Sequence, residues 1–343
     1  MRTTDTVKRQ IEYGNKKAGK TYGFDQSHDP SQPAQLWFQS SDEGLILFVV
    51  FYTQACRWSR CLGCNLPSKV SQEHIDFRFL IKQVDHLFAD TRVKSRFHDI
   101  RKVIISNNGS VLDEDTFSST ALIYLISMLN LHVPNLSTLC MESRPEYVDL
   151  AELEFISRAL AEGDTPTGLE IAIGFEAFDN HIRNNIFDKG LTLDAFESLA
   201  QKLASYHFSL KCYFMQKPVP GMNDKDAVED IQRAIAYLNN VANNLGTRVN
   251  IHLNPTYVAT GTALETAFRA GDYIPPRLED VARAAQAARD KNLTIFIGLS
   301  DEGLALPEGS FLNPDNKWMI EPIEQFNRTQ DFSILDNIIR QSK

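Results

Sequence analysis

The chain has 343 residues and a mass of 38.8 kDa, which suits two domains or one large α/β barrel. Its formal charge of -9 argues against an extended basic surface for nucleic acid, and its apolar runs are far shorter than the roughly 18 residues that cross a bilayer. The odd number of cysteines and the polar N-terminal segment favour a reducing compartment, so we expect a cytoplasmic protein without membrane contact.

Strand-like and helix-like segments alternate along the chain. A short extended segment at 35–38 is expected to pair with the strand that follows it. Runs of Val, Ile, Leu and Phe predict strands that begin near Leu45, Lys102, Leu136, Leu169, Leu210, Val249 and Thr294. Amphipathic stretches predict helices at 71–90, 119–131, 150–162, 192–206, 226–244, 278–291 and 332–340.

Repeated strand–helix units of this size are typical of a parallel sheet. The predicted fold class is therefore α/β, with a partial or complete (β/α) barrel of parallel strands and short N- and C-terminal extensions. We expect residues 1–44 to form the N-terminal extension, 45–300 the barrel core, and 301–343 a C-terminal extension that packs on the barrel. In such folds ligands bind at the carboxyl ends of the strands.

Cys56, Cys61 and Cys64 follow the first long apolar run at the spacing C-x4-C-x2-C. Three thiolates leave one iron of a four-iron cluster open for a ligand that is not protein. A two-iron cluster would need a fourth cysteine, but Cys140 and Cys212 lie inside apolar segments, where a buried inert thiol is usual. A structural zinc site completed by His74 is the other alternative.

Polar residues and glycines also follow the other predicted strands. A glycine turn lets a ligand approach the backbone closely, a carboxylate can accept both hydroxyls of a ribose, and a guanidinium can bind a carboxylate in bidentate fashion. The candidate ligand-binding residues are Asn107, Asn108, Gly109, Glu142, Arg144, Gly174, Glu176 and Asn254.

The succession of these motifs, with Lys189-Gly190 between the last two, resembles the core of radical S-adenosylmethionine (SAM) enzymes. It is similar to the branch of the Elongator catalytic subunit and the archaeosine-forming enzymes. The resemblance implies that the three cysteines bind a [4Fe-4S] cluster whose open iron binds SAM. It further implies that Asn107 to Gly109 contact the amino group of SAM, Glu142 its ribose, and Arg144 its carboxylate or the region near the sulfonium. Gly174 and Glu176 would lie against its adenosyl part, and Asn254 would line the same pocket.

The implied activity is reductive cleavage of SAM to a 5'-deoxyadenosyl radical, followed by hydrogen abstraction from an unidentified substrate. An external one-electron donor of the flavodoxin or ferredoxin type is implied as partner. The acidic charge favours a small-molecule or peptide substrate over RNA. The alternatives are a radical SAM enzyme that modifies transfer RNA, and a non-enzymatic α/β protein with a structural zinc. Gly63 stands where the family often places an aromatic residue, and Trp58 is the candidate replacement.

Overall fold

The computed structural model describes residues 3–342, so that Met1, Arg2 and Lys343, which belong to the predicted extensions, lie outside the described residues. Contacts divide the chain into two compact units. The first unit comprises residues 1–16, 23–59 and 66–173, and the second comprises 17–22, 60–65 and 174–343. The division into extensions and core at residues 44 and 300 stays a prediction.

The first unit contains a long run of strands with helices between them. In chain order its elements are α1 (Thr3–Lys17), β1 (Gln35–Ser41), β2 (Gly44–Val50), α2 (Phe77–Ala89), α3 (Thr91–Lys94), β3 (Ile100–Ser106), α4 (Ser119–His132), β4 (Thr138–Ser143), α5 (Leu150–Leu160) and β5 (Gly168–Glu176), whose last three residues belong to the second unit. β1 pairs antiparallel with β2, as expected for the segment at 35–38, and β2 to β5 pair in parallel.

The second unit continues the alternation. Its elements are a π-helical turn (His181–Ile186), α6 (Leu193–Ser205), β6 (Ser209–Gln216), α7 (Asp224–Leu245), β7 (Val249–Pro255), α8 (Ala263–Ala270), α9 (Leu278–Ala285), β8 (Thr294–Ile297), α10 (Ile320–Thr329) and α11 (Phe332–Gln341). β6, β7 and β8 pair in parallel, and α11 packs against α9 and α10. Among the helices between residues 3 and 342, none has the length and apolar character that crossing a bilayer requires.

The strands follow one another in the sheet in chain order, from β1 to β8. Only the pairing of β1 with β2 is antiparallel among the strand pairs described above. A predominantly parallel sheet of eight strands with intervening helices confirms the predicted α/β class of the partial (β/α) barrel type.

Several helices differ from the sequence prediction. The helix expected at 71–90 begins only at Phe77, because the Asp76 side chain caps it by accepting a hydrogen bond from the backbone N–H of Arg78. The helix expected at 278–291 ends at Ala285 and continues as a short 3-10 turn. Helices α1, α3, α8 and α10 were not expected from the sequence.

A buried ion-pair group crosses the sheet of the first unit. Lys102 on β3 is fully buried, and its Nζ lies 2.7 Å from Glu43 Oε2 and 2.6 Å from Oε2 of the equally buried Glu170 on β5. Burial alone would lower the pKa of Lys102, but the charges of Glu170, Cys140 and Glu43 outweigh it and raise the pKa. Lys102 therefore stays protonated, and the carboxylates balance its charge inside the sheet.

We predict that Lys102→Met destabilises the protein, because it leaves the buried Glu170 carboxylate and the half-buried Glu43 carboxylate without their cation. The free energy of unfolding should fall by about 3 to 5 kcal/mol. Denaturant unfolding measures this change. Lys225→Met, which removes an exposed lysine of α7, is the matched control and should have little effect. Equal stabilities of the two variants would contradict a structural role for Lys102.

Candidate active site

The first cysteine lies in the segment that follows β2, and this segment packs against helix α1. Val7 and Ile11 of α1 share a buried apolar cluster with Tyr52 and Ala55. Gly14 of α1 allows a close approach, because a Cβ atom at this position would lie 2.5 Å from the carbonyl oxygen of Trp58. The helix that the sequence analysis missed therefore supports the backbone around Cys56.

The predicted glycine turn lies directly against this cysteine. A Cβ atom at Gly109 would lie 3.2 Å from Cα and 3.3 Å from Cβ of Cys56, so a larger residue would displace one of the two segments. Asn108 adopts a left-handed conformation with φ of 56°, and its side-chain amide donates a hydrogen bond to the Leu66 carbonyl at 3.1 Å. The turn is thereby held on Cys56.

Asn107 presents a buried acceptor in the same turn. The residue is fully buried, and its side-chain NH2 group donates to the Ser110 carbonyl at 3.3 Å. Within the described part of the chain its Oδ1 atom has no hydrogen-bond partner. A buried acceptor without a donor is costly, so this atom is suited to an N–H group of a ligand.

Glu142 and Arg144 follow each other at the end of β4. The Glu142 side chain is half-buried, whereas Arg144 is 7% exposed and donates from Nε to Glu146 Oε1 at 2.5 Å. The guanidinium of Arg144 stacks over the indole of Trp58, 4.2 Å from its ring centroid. Trp58 therefore fixes the orientation of Arg144 in this structure.

Arg57 anchors the cysteine segment through two carboxylates. Its guanidinium donates from Nε to Asp113 Oδ2 at 2.6 Å, makes a second, closer contact with Asp113 Oδ1, and donates to Asp115 Oδ2 at 2.8 Å. Burial opposes the charge of Arg57, but these carboxylates outweigh it and raise its pKa. The ring of Tyr147 lies 5.2 Å from the guanidinium carbon and completes the environment.

Cys61 and Cys64 belong to the second unit, and both are half-buried. The backbone N–H of Cys64 donates to the Cys61 carbonyl, and the N–H of Leu62 donates to the Phe187 carbonyl at 2.9 Å. Cys61, Leu62 and Met215 pack against a buried apolar cluster that contains Phe187. Asn65 then fixes the end of the segment by donating to the backbone carbonyls of two later loops.

Tyr257, in the loop after β7, lies in the electrostatic field of Cys64. Burial raises the pKa of the Tyr257 hydroxyl well above its usual value, and the charges of Glu302, Cys64 and Asp301 add to the effect. The phenol therefore stays protonated and is available as a hydrogen-bond donor at neutral pH.

Gly174 and Glu176 form a compact polar group with Lys189. Glu176 Oε1 accepts from Lys189 Nζ at 2.7 Å, and a Cβ atom at Gly174 would lie 2.3 Å and 2.4 Å from these two atoms. Glu176 has a positive φ of 70°, which is unfavourable for a residue other than glycine. Buried Arg183 supports this loop by donating to the carbonyls of Ala177, Phe178 and Leu191.

Asn254 stands at the end of β7 beside Gly298, which follows β8. A Cβ atom at Gly298 would lie 2.3 Å from Asn254 Oδ1 and 2.9 Å from Nε2 of His252. Because Gly298 has no side chain, the polar ends of Asn254 and His252 can occupy this space. Asn254 is half-buried and lies opposite Met215 in the register of β6 and β7.

The donor set fits the cofactors that the sequence resemblance implies. The three motif cysteines are half-buried, whereas Cys140 and Cys212 are buried within strands. The buried acceptor of Asn107 suits an ammonium group such as that of SAM. His74, the residue named for a zinc site, is exposed. Between residues 3 and 342, no three His, Cys, Asp or Glu side chains are already gathered around one metal position.

Comparison with known proteins gives distant relatives. No family model matches the sequence. An uncharacterised protein of Methanocaldococcus jannaschii is 26% identical over 321 residues, which cover 90% of this chain and 84% of that protein. Archaeosine synthase subunit beta of Methanosarcina acetivorans is 28% identical over 245 residues, which cover 71% of this chain and 67% of that protein. The latter similarity confirms the resemblance to the archaeosine-forming branch.

Among solved structures, the chain is similar to the archaeal Methanocaldococcus infernus Elp3 with an N-terminal deletion. The TM-score is 0.47 at 14% sequence identity, and the match covers 73% of this chain and 58% of that chain. This chain therefore spans little more than half the length of that structure.

The structure brings the predicted residues of each unit together. In the first unit, Asn107 to Gly109 adjoin Cys56, and Arg144 adjoins Trp58 beside that cysteine. In the second, Gly174 and Glu176 form one group with Lys189. The sequence analysis missed the anchoring role of Arg57 and its two carboxylates. The acidic stretch Asp113-Glu114-Asp115 just after the Asn-Asn-Gly turn was the available signal for it.

We predict that Arg57→Met destabilises the protein by roughly 3 kcal/mol, because it leaves the Asp113 carboxylate, 5% exposed, without its cation. Denaturant unfolding of Arg57→Met, Asp113→Asn and the double variant measures the coupling between the two side chains. Arg78→Met is the control and should change stability little, because its ion pair with Asp76 is at the surface. Additive effects of the two substitutions would show that Arg57 does not anchor the segment.

Proposed function

We propose that this chain is a radical SAM enzyme. In this proposal Cys56, Cys61 and Cys64 bind a [4Fe-4S] cluster, SAM is cleaved reductively, and hydrogen is abstracted from a substrate that is not identified. The observation that carries the proposal is the contact of Gly109 with Cys56, because it brings the buried acceptor of Asn107 next to the first motif cysteine. The similarity to archaeosine synthase subunit beta supports it.

The residues of the first unit take distinct parts in SAM binding under this proposal. Asn107 Oδ1 accepts a hydrogen bond from the amino group, and the Asn108-Gly109 turn allows the close approach that this bond requires. Glu142 accepts the ribose hydroxyls. Arg144, held by Trp58, binds the carboxylate. These contacts orient SAM before the reaction, which lowers the entropic cost of reaching the reactive geometry.

The second unit contributes polar and apolar groups. Gly174 and Glu176 lie along the adenosyl part of SAM, and Asn254 lines the same pocket. The apolar residues Leu62, Phe187 and Met215, which pack in the same cluster as Cys61, limit the access of water to the Cys61 thiolate. A cluster held there would supply the one-electron reduction that splits SAM into methionine and a 5'-deoxyadenosyl radical, with a flavodoxin- or ferredoxin-type protein as the electron donor.

The ligand assignment predicts a contrast between two cysteine variants. Cys61→Ala should abolish both iron loading and 5'-deoxyadenosine formation, because the cluster loses one of its three ligands. Cys140→Ala should retain both, since Cys140 is fully buried in β4. Iron analysis, the visible spectrum of anaerobically purified protein and chromatography of the nucleoside products measure the outcome. A colourless Cys140→Ala protein, or zinc in place of iron in the parent protein, would refute the assignment.

Modification of a nucleoside in transfer RNA is the second candidate function. Its support is the name of the relative from Methanosarcina acetivorans, archaeosine synthase subunit beta. The formal charge of -9 opposes it, since polyanion binding depends on cations that neutralise phosphates. The two candidates share the same cofactors and differ in the substrate alone.

Transfer RNA binding at several salt concentrations distinguishes the two candidates. We expect no measurable binding at about 0.15 M salt, because the protein lacks the positive charge for many phosphate contacts. Double-stranded DNA of similar length serves as the control for non-specific association. Tight binding that is selective for transfer RNA and weakens steeply with salt would favour the nucleoside candidate instead.

A further inference from the structure

Lys211 on β6 is a buried lysine that the proposed site does not use. It is 4% exposed and points away from the helices of the second unit. Phe214, on the opposite face of the same strand, stacks on Phe175. The ring of Phe175 also contacts Phe196 of α6. Because side chains alternate along a strand, Lys211 and Tyr213 lie on the other face of the sheet. We call this face of β6 to β8 the open face.

The neighbours of Lys211 on the β7 side of the open face are uncharged. Asn250 lies opposite Lys211 in the register, Thr294 lies opposite Asn250, and the Thr294 hydroxyl donates to the Asn250 side chain. The next row toward the carboxyl ends is aromatic: His252 lies between Tyr213 and Phe296, with ring-centroid distances of 5.0 Å and 4.7 Å. These neighbours supply polar contacts and no carboxylate.

No carboxylate forms an ion pair with Lys211 in the part of the chain that the structure describes. The Nζ atom of Lys211 lies over the ring of Tyr213, 5.8 Å from the ring centroid. Lys102, the buried lysine of β3, has two carboxylates within 2.7 Å. The two buried lysines therefore differ in their ion pairs.

The open face is accessible to a ligand near the carboxyl ends of β6 to β8. Tyr213, Met215, Asn254 and Phe296 retain partial exposure, whereas Cys212, Phe214, Leu253 and Ile297, of opposite parity on the same strands, are buried. The ammonium group lies on the same face as these half-buried residues. A buried cation without a counter-charge is costly, and an anionic ligand group would offset that cost.

We infer that Lys211 binds a carboxylate of the substrate on the open face. Lysine is the one residue with a full positive charge among those that β6 to β8 place on this face, so it matches a monoanion. A phosphate monoester carries more negative charge than one ammonium group neutralises. The inference rests on the proposed function and narrows its substrate class to carboxylic acids.

Thermal unfolding of the full chain, purified anaerobically, tests this inference with acetate as the probe. At equal ionic strength, roughly 100 mM acetate should raise the Tm above its value in chloride by about 2 to 4 °C, because acetate binds the folded state. Lys211→Met should lose this shift and should have a higher Tm than the parent protein in chloride, since it lacks the uncompensated charge. Lys211→Gln is the second variant, and Lys225→Met, at an exposed lysine, should keep the acetate shift.

Three outcomes would overturn the inference: no acetate shift in the parent protein, an equal shift in Lys211→Met, or a shift with inorganic phosphate in place of acetate. A lower Tm of Lys211→Met in chloride would also overturn it, since it would mean that Lys211 is compensated within the fold.

SAM cleavage without substrate separates the two proposals. Lys211→Met should still form 5'-deoxyadenosine, and absence of cleavage in the parent protein would refute the proposed function while leaving the acetate result to stand.

Discussion

The alternation of side chains along parallel strands is the constraint on which the candidate site depends. In β6, Cys212 and Phe214 are fully buried, whereas Tyr213 between them keeps partial exposure. A polar residue on the same face as Cys212 and Phe214 would be buried among apolar side chains. Polar groups therefore concentrate on the other face of the sheet and at the strand ends. This distribution explains why glycines and amides recur where strands end, and why their roles can be inferred before any ligand is seen.

The strands were predictable because their cause is local. Each is a short run of apolar residues bounded by polar turns, and β2, β3 and β7 begin within two residues of the expected positions. Helix α1 was not predictable in the same way. Its buried residues Val7 and Ile11 are few among polar neighbours, and their burial depends on contact with Tyr52 and Ala55, which lie more than 40 residues later in the chain.

The candidate site likewise contains residues that the sequence predicts and contacts that it does not predict. Asn107, Glu142 and Asn254 follow apolar strands, and this position in the chain is enough to select them. The ion pair of Arg57 with Asp113 joins residues 56 positions apart, and no local pattern specifies which carboxylate an arginine will meet. The buried acceptor of Asn107 is likewise a property of the packed structure, because it depends on which donors the fold leaves out of reach.

At the proposed carboxylate site, the buried Lys211 explains how an acidic protein can bind an anionic group. The formal charge of -9 is spread over the surface, where water and salt largely screen the interaction of charges that are more than about 10 Å apart. Lys211 is 4% exposed, and at a buried site the effective dielectric constant is lower, so a single neighbouring charge has a larger effect. A small carboxylate that reaches this residue therefore meets a favourable local field, whereas a polyanion at the surface meets the unfavourable net charge. Under the proposed function, this distribution of charge selects against RNA and for a small acid.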